Sequence, residues 1–252
     1  MSSNEWKYNL LREIPKNSIL VIGIPDVGLV GPISASYLVK TLKLEMVGHI
    51  DSVYLPPILL FHEEKPLLPL RIYSEQDEKP LTVILSESAI HPDGLLSFAN
   101  FLVDFAVENN FEHMFLLGGL AVPNRIQIEK PKVYAATVCD NKREELRNLG
   151  LEILKEGFIS GVYALVLKQC LKKKYAATAL LAESYLNYPD PGAAASIVEK
   201  IALITGKEID VKPLLEKEEE IRVKLRELMR RTLESMKKTG KEYEFTVPAM
   251  YA

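Results

Sequence analysis

Short apolar runs alternate with longer amphipathic stretches over the first two hundred residues. Residues 18–24 (SILVIGI), 45–51 (EMVGHID), 81–87 (LTVILSE), 113–120 (HMFLLGGL), 132–139 (KVYAATVC) and 176–184 (AATALLAES) are rich in aliphatic and β-branched side chains over the length of a strand. Between them lie helix-period segments at 32–44, 91–110, 140–150, 161–174 and 191–206. In the second of these, Leu95, Phe98, Leu102, Phe105 and Ala106 share one side. Asp140 is a plausible N-cap and Gly150 a stop for the third, and the fifth has Pro191 near its start and Gly206 past its end. Strands alternating with helices predict an α/β fold with a largely parallel sheet covered on both faces. Residues 53–73 break the pattern: Pro56, Pro57, Pro66 and Pro69 cannot donate to a ladder, so an irregular arm or edge hairpin is expected there.

From Pro213 the character changes. Leu214, Ile221, Leu225, Leu228, Thr232 and Met236 make a narrow stripe in a charged, glycine-free segment. Glu218–Arg222, Glu220–Lys224 and Glu227–Arg231 stand at i,i+4 in the favourable order. One helix over 213–239, roughly 40 Å long, is predicted, its stripe covering either the protein's own core or a second subunit's helix. The division is then a 1–212 α/β core, the 213–239 helix and a flexible, extended 240–252 tail.

The chain of 252 residues carries a net charge of −3 and is 48% hydrophobic, so it can bury a sizeable core and has no global basic footprint for nucleic acid. No apolar run reaches the roughly 20 residues needed to span a bilayer, and the N-terminus has no secretory pattern. Cys139 and Cys170 alone cannot form a disulfide framework; they read as buried free thiols in a reducing cytosol, and a cytoplasmic location is expected. Abundant Glu and Lys lean towards a heat-adapted source.

Candidate chemistry is sparse. GIPDVGLVG (23–31) lies where a strand meets a helix, but Pro25 stands where a dinucleotide loop needs its second glycine, and no Lys-Ser/Thr follows. Its glycines, like those of LLGGL (116–120), suit close packing, although an anion could still bind at the helix start. A crevice near Gly28, Gly118 and Gly119 is therefore kept as a weak ligand site, with Glu87 and Glu183 after two strands as carboxylates that could face it. His49, His62, His91 and His113 have no metal-ligand spacing, and neither cysteine sits in a nucleophile motif. No catalytic residue, cofactor or metal is expected.

The order GIPDVGLVGPISASYLVKTL, short strand, proline-rich arm, LLGGL and YPDPGAAASIVEKIALITG resembles the archaeal proteasome assembly chaperone family over roughly residues 10–210. The resemblance implies a phosphorylase/hydrolase-like α/β fold without an established catalytic role. The ending Met250-Tyr251-Ala252 is similar to the hydrophobic–tyrosine–any-residue terminus by which proteasome activators and assembly chaperones dock on the 20S α-ring. The resemblance thus implies ATP-independent binding of the 20S proteasome through Met250, Tyr251 and Ala252, by a homo-oligomer that could also meet unfolded substrates. A single hook buries little and binds weakly, whereas several on one oligomer gain avidity. Two rivals stand beside this reading: the apolar end folds back on the chain's own surface or a sister subunit, or the glycine crevice serves a nucleoside-type enzyme.

Overall fold

The computed structural model describes residues 5–76 and 79–238. Its strands are β1 (Trp6–Leu10), β2 (Ile19–Gly23), β3 (Glu45–Ser52), β4 (Leu60–His62), β5 (Lys65–Leu67), β6 (Leu70–Ser74), β7 (Leu81–Ser86), β8 (His113–Ala121), β9 (Val133–Thr137), β10 (Glu152–Ile153) and β11 (Ala177–Ser184). The helices are α1 (Val30–Thr41), α2 (Leu95–Glu108), α3 (Asp140–Asn148), α4 (Gly161–Lys173), α5 (Pro191–Thr205), α6 (Lys212–Glu216), α7 (Glu218–Lys224) and α8 (Arg226–Lys238). Nine strands form one sheet in the order β1-β3-β6-β7-β2-β8-β11-β9-β10, and β4 and β5 pair as a separate hairpin.

The α/β expectation holds, with one change. The central strands β7, β2, β8 and β11 are parallel, as the helical crossovers require. Both flanks are not: β1, β3 and β6 run antiparallel in succession up to β7, and β9 runs antiparallel to β11. Residues alternate between two cores. Leu20, Ile22, Ile84, Met114 and Leu116 face Phe98, Leu102, Tyr163 and Val166 of α2 and α4. Val21, Val83, Leu85, Phe115 and Leu117 face Leu29, Ile33, Leu38, Ile197 and Ile201 on the side of α1 and α5. Helix α5 starts at Pro191 and ends before Gly206, as its sequence suggested; Gly206 closes it in the left-handed region, and the Asp190 side chain caps its start by accepting from the Ala193 amide. At α3 the cap is Cys139, with Asp140 inside the first turn.

Three other expectations need correction. Residues 70–74 are no part of an arm; β6 lies between β3 and β7, with Leu70 and Ile72 fully buried. The last proline is Pro69, so every amide of the strand remains able to bond. Strand β1 is an addition to the expected elements; Trp6 anchors it by packing its ring at a tilt against Phe98 and donating its indole N–H to Ser97 Oγ at 3.0 Å. The 213–239 segment is not one straight helix. It breaks at Lys217 (φ −101°, ψ 17°) and Leu225 (φ −94°, ψ 4°) into three shorter helices. Leu214, Met229, Thr232 and Met236 are thereby buried against the chain's own core, which answers what the stripe covers within the described residues.

One polar chain crosses the sheet. The Thr178 hydroxyl donates to Thr137 Oγ1 at 2.9 Å, which leaves Thr178 Oγ1 to accept from His113 Nε2, also at 2.9 Å. Burial pushes His113 down to about 3, because a cation here would lose its hydration. The unfolded chain takes up the proton near pH 6.5 and the folded one only near 3, so this residue removes stability as pH falls from 6.5 towards 3. His113→Gln, which keeps a donor at the Nε2 position, should flatten that slope in denaturation midpoints measured between pH 4 and 7; a slope equal to that of the parent chain would show that His113 does not set it.

Candidate functional site

The carboxyl edge of the central parallel strands is where α/β proteins usually hold ligands. Here the chain's own atoms fill it. Gly28 takes φ +60°, a region open to glycine at little cost, and a Cβ there would lie 2.0 Å from Ser184 Oγ. A Cβ on Gly118 would meet the Tyr163 ring at 2.6 Å, and one on Gly119 the Val27 carbonyl at 2.5 Å. Tyr163, fully buried, donates its hydroxyl to the Leu117 carbonyl in the middle of β8, and burial raises its pKa well above the ordinary value. The glycines therefore serve close packing, the structural of the two readings.

Helix α8 closes the same edge from outside. Thr232, Ser235 and Met236 sit over Ile24, Pro25, Asp26, Ala89 and Ile90 and leave a cavity of about 30 Å³. That is room for a water or two, not for a nucleoside. Ser235 Oγ donates to the Ile90 carbonyl at 3.1 Å, fastening the helix to the loop after β7.

A buried ion pair lies at the start of α5. Arg125 and Asp190, both buried, form a two-pronged pair with Nε–Oδ2 at 2.7 Å and Nη2–Oδ1 at 2.8 Å. The remaining Arg125 nitrogen donates to the Ile128 carbonyl, while the Tyr185 and Ala193 amides donate to the carboxylate. Tyr185 lies between two guanidinium groups, Arg125 at 5.0 Å and Arg222 of α7 at 5.7 Å. Sequence reading missed this cluster. Asp190 had a signal, an aspartate before Pro191 at a helix start, but nothing local marks Arg125 as its partner 65 residues away.

The two carboxylates once grouped with the glycine crevice are engaged apart from each other. Glu87 accepts from buried Arg71 and lies 3.3 Å from His62 of the β4–β5 hairpin. Glu183 accepts from the Lys132 amide and the Tyr134 hydroxyl on the β9 side. His91 is a turn residue whose ring accepts from the Asp93 amide. Among the described residues no group of three or more His, Cys, Asp or Glu side chains could hold a metal, and no helix is long and apolar enough to cross a membrane. Cys170 is buried, and its thiol is pushed up to about 12 by burial, while Cys139 is only half-buried, contrary to expectation.

The proline-rich arm does contain the expected hairpin, β4–β5. It presents Leu59 and Phe61, 52% and 67% exposed, and Val53 before it is 85% exposed. A groove of about 440 Å³ lies between residues 187–189 and helices α7 and α8. The expected docking residues Met250, Tyr251 and Ala252 lie outside the described residues.

Comparison with known proteins follows the fold. The PAC2 family profile matches residues 20–229. An uncharacterised protein of Methanocaldococcus jannaschii is 27% identical over 228 residues, which cover 90% of this chain and 92% of that one. The crystal structure of Pyrococcus furiosus PbaA, an archaeal homologue of proteasome-assembly chaperone, superposes with a TM-score of 0.81 at 29% identity, over 91% of this chain and 99% of that one. Pyrococcus furiosus PbaB, an archaeal proteasome activator, shares the fold with a TM-score of 0.75 at 23% identity, over 89% and 98% of the two chains.

The buried pair makes a sharp prediction. Asp190→Ala leaves Arg125 charged and uncompensated in the interior and should cost about 3–5 kcal/mol. Arg222→Ala removes a partly exposed ion pair and should cost about 1 kcal/mol or less. Chemical denaturation of both variants checks this, and equal midpoints would contradict it.

Proposed function

The chain belongs to the PAC2 family, and from that membership we propose that it is an ATP-independent proteasome-binding protein, an assembly-chaperone homologue or activator that docks its C-terminal residues on the 20S α-ring. The observation that carries the proposal is the match to PbaA along 91% of this chain, joined to the Met250-Tyr251-Ala252 ending. Tyr251 offers a rigid ring with a polar tip, suited to a pocket that is apolar inside and wet at its rim. Met250 is soft enough to fill an irregular groove, and the main-chain carboxylate of Ala252 can pair with a lysine at the pocket mouth. The α/β body is the scaffold. No observation favours the nucleoside-enzyme alternative: the glycine positions that would line its crevice are packed against the chain's own atoms.

A single hook binds weakly, so the proposal includes a cytoplasmic homo-oligomer presenting several hooks together. The exposed Val53, Leu59 and Phe61 around the β4–β5 hairpin support an interface there.

Tyr251→Ala should cost about 2 kcal/mol or more per hook, as loss of a buried aromatic anchor does. Extension beyond Ala252 keeps every side chain but moves the carboxylate, and should weaken binding nearly as much, whereas Ala252→Ser should be tolerated. Co-sedimentation with 20S particles, with and without ATP, measures all three; full binding by the Tyr251→Ala and extended proteins would show that this segment is not the hook. In sedimentation velocity at micromolar concentration, the parent chain should be oligomeric and Phe61→Glu should shift it to smaller species. A monomeric parent would refute the oligomer.

A further inference from the structure

We propose that the groove between residues 187–189 and helices α7 and α8 is a resting site for the chain's own segment 242–251, held against the body within the same molecule. The groove runs along one stripe of α8, Arg226, Met229, Arg230 and Leu233, and is completed by Tyr188, Pro189 and Val223. The next position on that stripe is Lys237, in the last turn of α8, so the stripe continues to the end of the helix.

The volume of about 440 Å³ lies in the range that holds a few side chains. The lining pairs an apolar surface with arginine, and here the cations are unequal. Arg230 is engaged by Glu227 and Glu234, and Arg222 by Glu218 and Glu219. Arg226 forms no ion pair among the described residues. It is the charge left for an incoming carboxylate, and Leu233, Val223 and Tyr188 are the surface left for incoming aromatic and aliphatic groups.

Segment 242–251, EYEFTVPAMY, has that composition: Glu242 and Glu244 among Tyr243, Phe245, Val247, Met250 and Tyr251. Reach is sufficient. From Lys238 back to Val223 is roughly 22 Å along the helices at 1.5 Å per residue, and eleven extended residues cover about 36 Å. A segment tethered so close has a high effective concentration, so weak contacts suffice to keep it seated. The groove would then compete with the partner pocket proposed above; only that consequence rests on the proteasome reading.

The test uses the full chain with Cys139→Ser, which removes the half-buried native thiol, and needs no partner. Val223→Cys with Ala249→Cys should form an intrachain disulfide under mild oxidation about 10-fold faster than Leu96→Cys with Ala249→Cys. Leu96 is exposed and follows the His91–Pro92 turn beside Lys238, so it is a fair control for tether length. Adding Arg226→Glu to the groove pair should slow the reaction by about 10-fold, as loss of a charge pair and gain of a like charge do. Equal rates for the two cysteine pairs would overturn the proposal, as would a rate indifferent to Arg226→Glu. A product cross-linked between two chains would overturn it too, by assigning the groove to a second copy.

Discussion

Everything at the carboxyl edge of this sheet depends on how closely the backbone approaches itself there. The turn after β2 presses on β8 and on the end of β11, with no space for a Cβ at Gly28, Gly118 or Gly119. Close packing of this kind stabilises through many small contacts and tolerates almost no added volume. It also uses up the crevice in which folds of this architecture place ligands.

That filling shifts attention to the periphery. Helices α6 to α8 bend over the body, and α8 seals the edge with Thr232 and Met236, both buried. The seal is joined to the sheet through a polar chain: the Asp190 carboxylate fixes Arg125, Arg125 stacks on Tyr185, and Tyr185 stacks on Arg222 of α7. A buried bidentate pair with satisfied amides holds one geometry because every departure leaves a charge without solvent or partner. The C-terminal helices are thereby mounted in a defined place, as a scaffold that presents a docking segment requires. The family relationship and the likeness to PbaA agree with such a role.

The hairpin β4–β5 is fastened differently. Arg71, buried in β6, holds Glu87, and Glu87 reaches His62 at the hairpin tip. The apolar side chains Leu59 and Phe61 stay outside. A polar anchor beneath and an apolar face above is an arrangement that orients a surface for another protein without burying it.

The sequence by itself determined what short-range patterns can report. Apolar runs and helical periods located the central strands and helices α1 to α5, Pro191 and Gly206 marked the ends of α5, and the glycine turn was legible as a packing device. The proposed hook Met250-Tyr251-Ala252 rests on sequence likeness alone. Only the tertiary structure decided strand direction on the flanks, the place of residues 70–74 inside the sheet, the breaks at Lys217 and Leu225, and the union of Arg125 with Asp190. The physical reason is range. An apolar face announces that it will be buried, but which partner covers it is a sum over contacts far apart in the chain, and a charged residue in a loop carries no local sign of the countercharge that folding brings to it.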